Sequence, residues 1–156
     1  MSKQQGIGLI EVLVALLLLS VSLLGLGMLQ INTMQHQRSS YNNTMAQLLA
    51  VDMAERIRAN LSALETYDGK STDEASSGGC TQGCSPSQLV SQDITDWTKA
   101  IDDSPLTSGV GRIDVDTGDG VKNVEIRLTW QDPLAEKERK GGDATVDQIF
   151  SFKVAL

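Results

Sequence analysis

Two cysteines and one histidine are all that the 156-residue chain offers a soft or borderline metal, which is too few for a zinc site. Basic residues are also in short supply: 13 Lys and Arg stand against 20 Asp and Glu. A protein that holds nucleic acid by neutralising phosphates needs the opposite balance, so that class is disfavoured. No proline occurs before Pro86, and before Arg38 the only charged residues are Lys3 and Glu11. A polytopic membrane protein needs several long apolar runs, and this chain has one.

That one run accounts for the charge imbalance along the chain. Between positions 7 and 31, 18 of 25 residues are Ala, Val, Ile, Leu or Met, while 31 of the 33 charged residues lie beyond it. Residues 12–31 carry no formal charge, and 20 residues of helix rise about 30 Å, the thickness of a bilayer core. Lys3 on the amino-terminal side predicts a cytoplasmic amino terminus, with the body across the membrane. A secretory signal peptide fits less well. Its apolar core is shorter and ends at a small-residue cleavage site, which Leu26-Gly27-Met28-Leu29-Gln30 does not provide.

Glu11 needs a physical account, because a carboxylate beside an apolar run costs free energy unless it has a partner. Cleavage between Gly6 and Ile7 would place a new α-amino group one helical turn before Glu11, on its own helix or facing a neighbour's. Lys3-Gln4-Gln5-Gly6, then Ile7-Gly8-Leu9-Ile10-Glu11 and the leucine-rich run, resemble the class III signal of type IV pilins and pseudopilins. The resemblance implies that a prepilin peptidase cuts after Gly6, that Ile7 is methylated, and that Glu11 helps register a subunit joining a filament. Ile7 stands where phenylalanine is usual in that family, and Gly8 where a hydroxyl residue is common.

Beyond the apolar run, Tyr41, Met45, Leu48, Leu49, Met53, Ile57, Leu61 and Leu64 recur at three- and four-residue steps. One helix over residues 7–60 is predicted, on the order of 80 Å long, with this stripe against a core. Gly25 and Gly27 leave open the alternative of two helices. Residues 66–87 read as a loop holding Cys80 and Cys84. On the oxidising side of a membrane, this spacing across a turn can meet disulfide geometry. The closed loop would add about 2 kcal/mol of stability. A redox-active pair is the alternative reading.

Ser85-Pro86-Ser87-Gln88 predicts a capping box with proline at the first helical position. Val90, Ile94, Trp97 and Ile101 mark one face of the helix that follows. Strand periodicity appears at Ile113 and Val115, again at Val124, Ile126, Leu128 and Trp130, and finally at Phe150, Phe152, Val154 and Leu156. A long helix, a loop, a short helix and a small antiparallel sheet make an α+β order.

Leu48-Leu49-Ala50-Val51-Asp52-Met53-Ala54-Glu55-Arg56-Ile57-Arg58-Ala59-Asn60 is similar to the helix-end motif of the PilV family of type IV pilus minor pilins. Asp93-Ile94-Thr95-Asp96-Trp97 and Val124-Glu125-Ile126-Arg127-Leu128-Thr129-Trp130-Gln131-Asp132 resemble its later segments. The resemblance implies a type IV pilin-like fold with a leader at 1–6, a membrane and filament-core segment at 7–31, and a periplasmic globular domain at 32–156. It further implies a minor pilin, without catalytic activity or cofactor, that helps initiate and assemble the type IV pilus in fimbrial biogenesis, twitching motility and adhesion. Its partners would be other minor pilins, the major pilin, the prepilin peptidase and the inner-membrane assembly platform. It would start as a single-pass inner-membrane protein and end in the pilus. The rival readings are a minor pseudopilin of type II secretion and a tip adhesin.

Two further patterns carry less. Asp114, Asp116 and Asp119, with Glu125 eleven residues after Asp114, partly match a calcium loop, but Gly118 and Asp119 occupy its fifth and sixth positions. An acidic hairpin turn is the simpler reading. His36 is a solvated helix residue, Trp97 and Trp130 are core, and residues 136–140 are a solvated charge run.

Overall fold

A computed structural model describes residues 8–74, 80, 82–118, 121–131 and 147–156. Helix α1 runs from Leu9 to Ala59 without interruption, through Gly25 and Gly27 alike. A 3₁₀ helix, Leu61–Tyr67, follows, then helix α2, Pro86–Asp102. Strands β1, Val110–Asp116, β2, Asn123–Gln131, and β3, Asp147–Ala155, form a three-stranded antiparallel meander in chain order. The architecture is α+β, a long amino-terminal helix and a small antiparallel sheet, as expected from the sequence.

Contacts divide the chain into two compact units, Met1–Arg38 and Ser39–Leu156. Within the first, residues 9–38 are helical with their leucines, valines and isoleucines exposed. Within the second, the rest of α1, the 3₁₀ helix, α2 and the inner face of the sheet enclose one apolar core. β2 supplies its floor: Val124, Ile126, Leu128 and Trp130 are all buried, alternating with residues on the outer face, as period-two patterning requires. Phe150, Phe152, Val154 and Leu156 pack against the same cluster from β3 and its end.

Only part of the predicted α1 stripe faces this core. Leu49, Met53, Ile57 and Leu64 are buried, but Tyr41, Leu48 and Leu61 are exposed and Met45 is half-buried. The helix is instead turned so that Asn42, Ala46, Ala50 and Ala54 lie inside. Small side chains let a helix backbone approach its neighbours closely, and that space is filled by large ones from other elements. Trp97 of α2 shows how close: its Nε1–H donates to the Leu49 carbonyl at 3.0 Å. The Trp97 ring lies over Gly111 of β1, where a Cβ would meet ring carbons at 2.3–2.8 Å.

The expected loop over 66–87 is partly ordered against the sheet. Gly69, with φ +69°, turns the chain so that it runs beside β1, where Ser71 makes a bridge to Arg112. Gly69 N–H donates to the Ile113 carbonyl, Ile113 N–H to Lys70, and Thr72 N–H to Gly111, at 2.9–3.0 Å. Asp68 Oδ1 accepts from Val115 N–H at 2.8 Å. These bonds occupy the free edge of β1 and remove a site for unwanted pairing. The polar stretch after β2, with its charge run at 136–140, lies outside the described residues, as do Asp119 and Gly120.

The predicted capping box is present at α2. Ser85 Oγ accepts from Gln88 N–H, Gln88 Oε1 accepts from Ser85 N–H, and Pro86 opens the helix.

Candidate assembly site

Gly6 and Ile7, the expected cleavage and methylation positions, lie outside the described residues. Glu11 lies in the first turn of α1, exposed, its backbone N–H bonded to the Gly8 carbonyl at 3.0 Å. Between Glu11 and Arg38 the helix presents no formal charge, and its apolar side chains, Leu13, Leu17 and Leu24 among them, point outward. Its hydroxyls satisfy themselves. Ser20 donates to the Leu17 carbonyl, Ser22 to Leu18 and Thr33 to Leu29, at 2.8–2.9 Å. Such back-bonding leaves no hydroxyl in need of water, as apolar surroundings require. Among the described residues, this is the one helix long and apolar enough to cross a membrane.

At the other end of α1, Asp52 and Arg56 sit four residues apart and therefore on one face, and Asn60 follows just beyond the helix end. Arg56 Nε donates to Asp52 Oδ2 at 2.8 Å, and Arg56 Nη1 reaches Asp93 Oδ1 of α2 at 3.4 Å and Asp96 Oδ2 at 3.7 Å. Tyr67 Oη donates to Asp93 Oδ2 at 2.5 Å, while Asn60 Nδ2 donates to Tyr67 Oη and to the Pro86 carbonyl at 3.3 and 2.8 Å. Burial and the adjoining Asp93 carboxylate push the Tyr67 hydroxyl well above its ordinary pKa. The network joins α1, the 3₁₀ helix and the start of α2. The resemblance at residues 48–60 gives no physical role to Asp52, Arg56 or Asn60. Their four-residue spacing, with Asp93 and Asp96 one turn apart on α2, was the available signal.

Cys80 and Cys84 are joined in a disulfide with Cα atoms 5.7 Å apart. Its loop is held to α2, because Cys80 N–H donates to Gln92 Oε1 at 3.1 Å and Gln92 Nε2 donates to Asp96 Oδ1 at 2.8 Å. Asp96 is also a partner of Arg56, at 3.7 Å, so the staple and the α1–α2 contact share one carboxylate.

Across the outer face of the sheet, charges pair between strands. Glu125 accepts from Ser151 Oγ at 2.6 Å and lies 3.3 Å from both Lys153 and Arg127. Asp114 completes the ladder with Arg112 and Arg127 at 3.3 and 3.6 Å. The hydrogen bond from Ser151, then those from Lys153 and Arg127, hold the Glu125 carboxyl down at about 2. This carboxylate, last in the partial calcium pattern, is directed to β3.

The exposed apolar part of α1 is long enough to cross a membrane, and residues 39–156 form a small α+β body. Comparison with known families agrees. Residues 28–95 match the Tt1218-like family, described as Type IV pilin Tt1218, and residues 1–27 match the prokaryotic N-terminal methylation motif. The two adjoining matches support a pilin or pseudopilin role, with assembly among other pilins and processing by the prepilin peptidase. Neither the comparison with curated proteins nor that with solved structures returned a match.

Proposed function

We propose that the chain is a minor pilin of the PilV type, held in the inner membrane with its body in the periplasm until it is cut after Gly6. It then joins other minor pilins in a complex that primes assembly of the type IV pilus. In this reading, residues 1–6 are the leader, 7–31 the membrane and filament-core segment, and 32–156 the periplasmic body. The observation that carries the reading is Glu11 at the head of the run 12–31 of α1, which is uncharged and whose large apolar side chains are exposed. Such a surface is stable in lipid or against other helices, and packing between helices drives association there. Glu11 pairs with the freed amine of Ile7, on its own chain or a neighbour's, where low dielectric strengthens the attraction. The body has no catalytic part to play.

Glu11→Ala is expected to leave the body folded but to lower the amount of the chain in sheared filaments; unchanged incorporation overturns the role of Glu11. Gly6→Ala is expected to leave uncut, unmethylated precursor, read by intact mass. The family matches are equally compatible with a minor pseudopilin of type II secretion. Deleting the gene separates the two: loss of pili and twitching supports the pilus, loss of secreted exoproteins the secretion machine.

A further inference from the structure

Helix α1 starts at Leu9, and Gly8 is its cap. Glu11 N–H and Val12 N–H both donate to the Gly8 carbonyl, at 3.0 and 3.4 Å, while Gly8 itself lies outside the helix. Its carbonyl is the first acceptor of the helical ladder, which defines the capping position. Nothing among the described residues calls for a glycine there. A Cβ at position 8 would meet only Ile10 Cγ2, at 4.0 Å, an ordinary van der Waals contact, and Gly8 is not one of the glycines with positive φ. Close approach and left-handed backbone, the usual reasons for a glycine, are both missing. What remains is a preference for the end of a helix. Glycine caps helices nearly as well as Ser, Thr, Asn and Asp, but is among the poorest residues inside one, where Ala is the best.

We propose that Gly8 is a positioning residue for leader removal: by capping α1 it keeps the helix from running back across the Gly6–Ile7 bond, which stays open to the prepilin peptidase. The inference rests on the reading above, in which that bond is the one cut. A peptidase closes on an extended chain, whereas in a helix each carbonyl is engaged by the amide four residues on. With alanine at position 8 the helix would gain its best former at this point, and Gly6 is the next residue back that is suited to cap. The Gly6 carbonyl, the one to be attacked, would then become the first acceptor of the ladder. The same argument accounts for Gly8 standing where the family commonly has a hydroxyl residue, because both kinds of residue hold a capping position.

The test uses the full-length chain in its own cells, with leader removal followed by pulse-chase and gel mobility. Gly8→Ala is expected to slow removal about fivefold, the factor that a preference of about 1 kcal/mol for Ala over Gly in a helix represents. Gly8→Ser adds a side chain of nearly the same size but a strong cap, and should be processed within about twofold of the parent rate. In precursor purified in detergent micelles from cells lacking the peptidase, the Cα chemical shifts of Gly6 and Ile7 should move towards helical values in Gly8→Ala and not in Gly8→Ser. Parent-rate processing of Gly8→Ala, equal slowing by Ala and Ser, or unchanged shifts in Gly8→Ala overturns the inference. Gly6→Ala keeps it apart from the reading it rests on. An uncut Gly6→Ala beside a normally cut Gly8→Ala sinks the cap alone; normal cutting of Gly6→Ala removes the cleavage site itself.

Discussion

The Tyr67 hydroxyl lies 2.5 Å from Asp93 Oδ2, and through this one carboxylate the 3₁₀ helix, α1 and α2 are tied together. Tyr67 is fully buried, so its hydroxyl has no water to turn to. Tyr67→Phe removes the donor to Asp93 Oδ2 and keeps the Arg56 contact at Oδ1. A loss of about 1–3 kcal/mol is expected, the range for a buried hydrogen bond to a charged group. Both tryptophans are buried in the body, so urea unfolding followed by their fluorescence reports this loss.

The same pair sets a pH dependence at the alkaline end. Because the folded-state pKa of Tyr67 lies above its ordinary value of 10.0, its contribution is full below pH 10 and is lost as pH rises beyond it. Wild-type stability should fall above pH 10 more steeply than that of Tyr67→Phe. Parallel curves would show that the hydroxyl does not titrate with unfolding.

Glu125 governs part of the acid limb. Its folded-state pKa, about 2, is below its ordinary value of 4.5. Its contribution is therefore present above pH 4.5 and disappears as the pH falls towards 2. Ser151→Ala removes the largest cause of the depression, so it should raise the Glu125 pKa, measurable by NMR titration of its side-chain carboxyl, and shift the acid transition upward.

Two tryptophans should respond differently to loss of the indole nitrogen. Trp97 Nε1 donates to the Leu49 carbonyl, whereas Trp130 Nε1 is buried with no hydrogen-bond partner among the described residues. Both replacements by Phe remove ring volume, but only Trp97→Phe removes a hydrogen bond. It should cost about 1 kcal/mol more than Trp130→Phe, by the usual net value of such a bond. Chemical denaturation of the two variants checks the difference.

Gly111 sits under the Trp97 ring, so Gly111→Ala cannot be accommodated without moving that ring. Overpacking of this kind costs about 1–3 kcal/mol. A lowered melting temperature is expected, with the near-ultraviolet signal of Trp97 altered. An unchanged melting temperature would show that the ring moves freely.

Much of the molecule was readable from the order of its residues. The exposed apolar half of α1 follows from the leucine-rich, uncharged and proline-free run between residues 12 and 31, because nothing there interrupts a helix. The start of α2 follows from Ser85, Pro86 and Gln88, and β2 from the alternation of Val124 to Trp130, because caps and period two are local properties. The inward side of α1 was not local. Tyr41 and Leu48 have the same apolar character as Leu49 and Met53, and only the arrival of Trp97, Trp130 and the sheet selects the alanine side for close approach. The tie between Arg56, Asp93, Tyr67 and Asn60 spans up to 37 residues of chain, and the covering of β1 by residues 68–72 spans up to 47, so each exists only once the elements have met. Periodicity specifies that a face is apolar; which of two apolar faces turns inward depends on the volumes that other elements bring to it.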